Sequence, residues 1–75
     1  MKEPPKWVDD DRTDFCMGCR IAFGSLTSRR HHCRHCGRLL CSDCSKCQIS
    51  IPKFGFINPV RVCVTCFEAL VDVNT

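Results

Sequence analysis

Residues 33–44 read CRHCGRLLCSDC. Two CxxC pairs, Cys33/Cys36 and Cys41/Cys44, stand four residues apart, and two more flank them at Cys16/Cys19 and Cys63/Cys66. A two-residue gap lets a tight knuckle turn both sulfurs toward one ion while its backbone N–H groups hydrogen-bond the thiolates. Gly18 and Gly37 suit such knuckles because glycine accepts a positive φ. Four pairs supply eight ligands, enough for two tetrahedral Zn2+ sites of four thiolates each. Protein would fill every position on each ion, so the sites are expected to be structural, with no place for a reactive water.

The short gap between Cys36 and Cys41 bears on which pairs share an ion. Joining these neighbours would close a very tight loop. Joining the pairs sequentially would leave the rest of the chain unpinned. Interleaving staples the whole chain, and spacing favours it. The expected cross-brace puts Cys16, Cys19, Cys41 and Cys44 on one zinc, and Cys33, Cys36, Cys63 and Cys66 on the other. Cys47 makes a fifth, overlapping CxxC with Cys44 and is read as a spare, part-buried thiol. His35 lies inside the second knuckle and is expected to point away from the ion; with Arg38 it is read as a bystander.

Composition explains why metal is needed. The chain has 75 residues, nine of them cysteine. A domain this short buries too little apolar surface to offset its conformational entropy comfortably, and small domains usually carry disulfides or metal. The odd cysteine count would leave one thiol over in a disulfide framework. No secretory h-region is visible, and no run approaches the roughly 18 apolar residues of a membrane span. A reducing, cytosolic setting is expected, where clustered cysteines signify metal.

The formal charge is +3. Eight thiolates subtract eight and two zinc ions return four, which takes the total to −1, so local charge is the better guide. Residues 29–38, RRHHCRHCGR, hold four arginines and no acid, whereas residues 9–14, DDDRTD, hold four aspartates.

Residues 1–6 read as a flexible lead-in, residues 7–72 as the domain and residues 73–75 as a tail. Trp7, a lone Trp, is expected to serve core or interface packing. The runs RRHHC, RLLC, CQISI and VRVC are strand-like, and Gly and Pro residues punctuate them. After Cys66, Phe67, Leu70 and Val71 fall at i, i+3 and i+4, which predicts a short C-terminal helix. The fold class expected is a small, zinc-stapled α+β domain.

If Cys33 ends a strand facing its metal, alternation places Arg30, His32 and Arg34 together on the opposite face. Two guanidiniums and an imidazole in a row make an oxyanion receptor. Sharing an ion with Cys63 draws Arg61 to the same sheet. Such a pocket suits a phosphate monoester better than a nucleic-acid backbone, which is read by basic and aromatic residues spread over a surface. A carboxylate at its edge suits hydroxyls, so a polyol phosphate would use both. Nucleic-acid binding and catalysis are therefore not expected.

WVDD at 7–10, RRHHCR at 29–34 and RVC at 61–63, with eight cysteines at these spacings, resemble the FYVE zinc-finger family over residues 7–72. The resemblance implies a cross-braced two-zinc fold with two short antiparallel sheets and a C-terminal helix. It also implies recognition of phosphatidylinositol 3-phosphate on the cytosolic face of early endosomes. Carried over by position, Arg29, Arg30, His32 and Arg34 would contact the phosphates and nearby hydroxyls. Arg61 would join at the 3-phosphate and Asp10 would bond inositol hydroxyls. His31 belongs to the same motif, and Trp7 would order the N-terminal segment. The family's membrane-inserting loop falls at Gly24–Ser28, with Leu26 and Thr27 at its tip. Phe54 and Phe56 are assigned to the core rather than to a second membrane contact with Lys53. A homodimer through flanking regions would add avidity. The competing reading is a RING-like cross-brace serving protein–protein interaction or ubiquitin ligation.

Overall fold

The first two CxxC pairs form knuckles of one design. In the first, the amides of Gly18 and Cys19 point at Cys16 Sγ (3.2 and 3.4 Å), and the Arg20 amide closes the turn on Cys16 O at 2.9 Å. The second repeats this: the His35 and Cys36 amides donate to Cys33 Sγ at 3.4 Å each, and the Gly37 amide to Cys33 O at 2.8 Å. The closing residue adopts the left-handed conformation, with φ 81° at Gly37 and 71° at Arg20. The expectation for Gly18 is thereby corrected. The positive φ falls on Arg20, and Gly18 is needed for space, because a Cβ there would stand 2.9 Å from Cys44 Sγ.

The computed structural model describes residues 2–24 and 28–74. Strands β1 (His31–His32) and β2 (Leu39–Leu40) pair antiparallel across the second knuckle. Strands β3 (Cys47–Ile51) and β4 (Phe56–Val62) form a second antiparallel sheet. Its register shifts between Ile49, which faces Val60, and Ile51, which faces Phe56. Continued unshifted, the register would set Ser50 against Pro59, which has no N–H to give the ladder. Gly55, at φ 84°, ends the hairpin turn and donates to Pro52 O.

Helix α1 (Val64–Asn74) packs against β3. It begins two residues before Cys66, earlier than the apolar spacing suggested. Cys63 takes the N-cap position: its Sγ accepts the Cys66 amide at 3.4 Å and its carbonyl accepts the Phe67 amide at 2.9 Å. A thiolate serves there as Ser or Asp would, satisfying an orphan amide at the positive end of the helix dipole. No helix among the described residues is long and apolar enough to cross a membrane.

Leu39, Leu40, Ile51, Val62 and Leu70 are buried, as are the thiols of Cys16, Cys33, Cys41, Cys63 and Cys66. Phe54, Phe56 and Phe67 pack against this core, as the sequence reading held for the first two. So few apolar side chains leave the sulfur clusters as the main staples.

Candidate functional site

The cysteines gather into the interleaved sets. Cys16, Cys19, Cys41 and Cys44 form one cluster and Cys33, Cys36, Cys63 and Cys66 the other, with all four sulfurs of each within 4.8 Å of one another. Tetrahedral zinc with bonds near 2.3 Å separates its sulfurs by about 3.8 Å. Cys19 Sγ and Cys41 Sγ are 3.6 Å apart, and Cys36 Sγ and Cys63 Sγ 3.9 Å.

Four close thiols cannot ionise independently. Burial pushes Cys16 up, but the amides of Cys19, Cys41 and Gly18 outweigh it and bring its pKa to about 6. Cys63 is likewise brought to about 7, against burial, by the Cys66 amide and Arg38. Their partners Cys44 and Cys66 are pushed up by burial and then by the neighbouring sulfurs. A divalent cation is the species that lets all four ionise, so the donor set fits two structural zinc ions. Cys47 stands outside both clusters, half-buried at the start of β3.

The second knuckle carries the cationic site. The two residues of β1 diverge. His31 Nε2 lies 3.0 Å from Ser42 Oγ. Burial, then the guanidiniums of Arg61, Arg34 and Arg29, hold its pKa below the ordinary histidine value. His31 therefore lies in the positive field of these arginines. Arg34 is fixed there by its amide, which donates to Arg61 O at 2.9 Å, and by its Nη1, which donates to His32 O at 2.7 Å. Arg61 Nη1 donates to Ser45 O and Oγ at 3.0 and 3.2 Å, and the buried Ser45 hydroxyl is itself tied to Cys41 O. Arg29 is exposed.

His32 points to the N-terminal segment. Its Nε2 is 2.8 Å from Val8 O, and because a carbonyl only accepts, that nitrogen carries the hydrogen. Asp10 Oδ1 lies 3.3 Å from the same atom. Trp7 stacks on His32 with centroids 4.6 Å apart, and Arg34 lies 4.7 Å over the Trp7 ring. At 42% exposure Trp7 takes the interface alternative rather than the core one; it is a wall plate against two side chains of the basic motif. Gly37 makes this docking possible. Its carbonyl accepts the Val8 amide at 2.9 Å, and a Cβ on it would sit 2.8 Å from Lys6 O.

The expected row of Arg30, His32 and Arg34 is only partly present. Arg30 turns to Asp14 (3.4 Å) and lies 5.0 Å over Phe23. A two-residue strand sustains alternation only across its own length, so residue 30 escapes the pattern. Leu26 and Thr27 lie outside the described residues.

Sequence reasoning missed four contributors. Ser42 and Ser45 hold His31 and Arg61, and nothing in CSDCSK singles them out. Arg38 and His35 are not bystanders: Arg38 Nη2 donates to Cys63 Sγ at 3.3 Å, and His35 Nδ1 lies 3.2 Å from Cys66 Sγ. Burial and then Lys53 lower the His35 pKa, favouring the neutral ring. The knuckle amides occupy Cys33, which leaves the His35 ring free to swing across to the partner pair.

Comparison with known proteins agrees with this geometry. The family model described as FYVE zinc finger matches residues 6–72. Rabankyrin-5 of Homo sapiens and of Mus musculus are each 54% identical over 69 residues, 92% of this chain. The chain spans only 6% of the length of those relatives. The crystal structure of the VHS and FYVE tandem domains of Hrs, a protein involved in membrane trafficking and signal transduction, superposes with TM-score 0.80. It is 43% identical and covers 91% of this chain and 30% of that one. The solution structure of the LM5-1 FYVE domain from Leishmania major gives 0.79 at 42% identity, covering 95% of this chain and 83% of that one.

Proposed function

The chain belongs to the FYVE zinc-finger family, and on that premise we propose that it is a membrane-targeting module that binds the headgroup of phosphatidylinositol 3-phosphate. The observation that carries the reading is the joining of Arg34 to Arg61, the Arg34 amide donating to Arg61 O at 2.9 Å, beside a wall made by Trp7, His32 and Asp10. Guanidiniums in a fixed frame suit a phosphate's oxygens. Asp10 is wrong for phosphate and right for the ring hydroxyls beside it. Zinc at the second cluster supplies rigidity: Cys33 sits between His32 and Arg34, and Cys63 follows Arg61 by two residues.

Arg29, His31, Arg34 and Arg61 take the phosphates in this reading. Arg30 joins after leaving Asp14, and His32 and Asp10 face the hydroxyls. Leu26 and Thr27 enter the bilayer; burying the leucine contributes about 1.5–3 kcal/mol. So small a term calls for avidity, supplied by a homodimer formed through flanking regions. The similarity to Hrs, a protein involved in membrane trafficking, supports an address on the cytosolic face of early endosomes. A RING-like role in ubiquitin ligation leaves the cations around His31 without a function.

The test is sedimentation with liposomes, each carrying one singly phosphorylated phosphoinositide. Binding is expected only with the 3-phosphate isomer. Equal binding to all three isomers would sink the selective-receptor reading.

A further inference from the structure

The two cysteine clusters are built on matching backbone scaffolds. The residue after the first cysteine of each knuckle donates its amide to the residue two before the partner pair: Met17 to Leu39 O, and Arg34 to Arg61 O, each at 2.9 Å. Both knuckles also aim two amides at one sulfur.

Their side-chain surroundings differ. Among the described residues, every nitrogen donor to the first cluster is a backbone amide: Gly18, Cys19 and Cys41 on Cys16 Sγ, and Cys44 on Cys41. One of its ligands, Cys19, is exposed. The second cluster receives the Arg38 guanidinium on Cys63 and the His35 ring on Cys66. A zinc-bound thiolate has no proton to give, so Nδ1 of His35 supplies the hydrogen. Phe54 stacks on His35 at 5.6 Å, and Lys53 lies 5.1 Å over Phe54, so the β3–β4 turn covers this side of the cluster.

Four thiolates and one Zn2+ carry a net charge of −2. At the second cluster a fixed cation and an N–H dipole offset that charge and hold two thiolates in place. At the first, amides do so alone, and solvent reaches Cys19. We infer that the two ions are held unequally. His35 and Arg38 are positioning residues that retain the ion of Cys33, Cys36, Cys63 and Cys66, and the ion of Cys16, Cys19, Cys41 and Cys44 is the exchangeable one. Its exchange would loosen the segment around the Phe15–Ala22 bridge, while β1 and the end of β4 keep their frame.

The experiment mixes the two-zinc domain with excess EDTA, quenches at intervals, and counts the zinc left on the protein. N-ethylmaleimide in the quench, followed by peptide mass spectrometry, identifies which cysteines have become free. Two phases of one zinc each are expected, at least about tenfold apart in rate, with Cys16, Cys19, Cys41 and Cys44 labelled in the fast one. Losing a partner that orients a metal ligand costs about 10–100-fold in metal affinity. His35→Phe, which keeps a ring against Phe54, and Arg38→Gln are therefore each expected to speed the slow phase about tenfold or more, leaving the fast phase unchanged. Arg38→Lys keeps a charged donor and is expected to restore much of the slow phase, which separates the loss of this bond from a general loss of fold. A single phase releasing both ions from the unsubstituted domain overturns the inference. So does labelling of Cys33, Cys36, Cys63 and Cys66 first, or a slow phase indifferent to both His35→Phe and Arg38→Gln.

Discussion

Gly37→Ala tests how the N-terminal segment is attached. Gly37 holds φ 81°, and a Cβ on it would stand 2.8 Å from Lys6 O and 3.3 Å from Trp7 Cα. A left-handed conformation costs an alanine about 1–2 kcal/mol. Backbone lies on both sides of the contact, so residues 6–8 must lift. That breaks the Val8 amide bond to Gly37 O, about 0.5–1.5 kcal/mol. It also takes Trp7 from under Arg34, about 0.5–1 kcal/mol. The expected loss is about 2–4.5 kcal/mol, a fall in melting midpoint of at least about 8 °C for a domain of this size at fixed free zinc. Trp7 is the chain's one tryptophan, so intrinsic fluorescence reports the detachment directly. Its emission should shift to the red while zinc content stays at two per chain. Trp7→Ala serves as the companion variant and should lose only the Arg34 contact, about 0.5–1 kcal/mol, without the backbone cost at residue 37. Unchanged Trp7 emission and unchanged melting in the Gly37→Ala variant would refute the docking argument.

Three further outcomes are expected. Arg61→Ala removes a cation anchored on Ser45 and should weaken headgroup binding about ten- to a hundredfold, the worth of a charge-assisted hydrogen bond, with zinc content intact by elemental analysis. Burial and then Arg61, Arg34 and Arg29 depress the His31 pKa, so the free domain carries it neutral at pH 7. A phosphate among those guanidiniums removes the repulsion and raises that pKa, so binding takes up a proton. Affinity should therefore rise as pH falls toward the ordinary histidine value of about 6.5, and calorimetry showing a flat profile between about pH 6 and 8 contradicts it. Leu26→Asp should weaken vesicle binding and leave binding of a soluble headgroup unchanged; equal losses in both would place Leu26 in the pocket instead.

The frame of this domain is legible in its sequence because zinc geometry is severe. Cys36 and Cys41 stand too near each other for a comfortable shared site, and that favours the interleaved pairing found in the fold. The four strand-like runs also supply the strands. What escapes depends on contacts between distant pieces. Gly18 draws notice for its backbone freedom, but the approach of Cys44 makes it necessary, and no local pattern announces that. His35 and Arg38 look idle within their own knuckle and find their sulfurs 31 and 25 residues away. Alternation aligns Arg30 with His32 and Arg34, and a two-residue strand cannot carry it that far. Helix α1 starts early because a thiolate, absent from the usual list of capping side chains, caps it.

The central claim is that the cations gathered on His31 form a pocket for one phosphate position. The most direct measurement is an NMR titration of the two-zinc domain with soluble, short-chain forms of the three singly phosphorylated phosphoinositides, following the His31 ring and the guanidinium resonances of Arg29, Arg34 and Arg61. The 3-phosphate isomer should shift these four residues together at a single dissociation constant, while the other two leave them near their starting positions. Matching shifts with all three isomers, or shifts confined to residues away from His31, would contradict it.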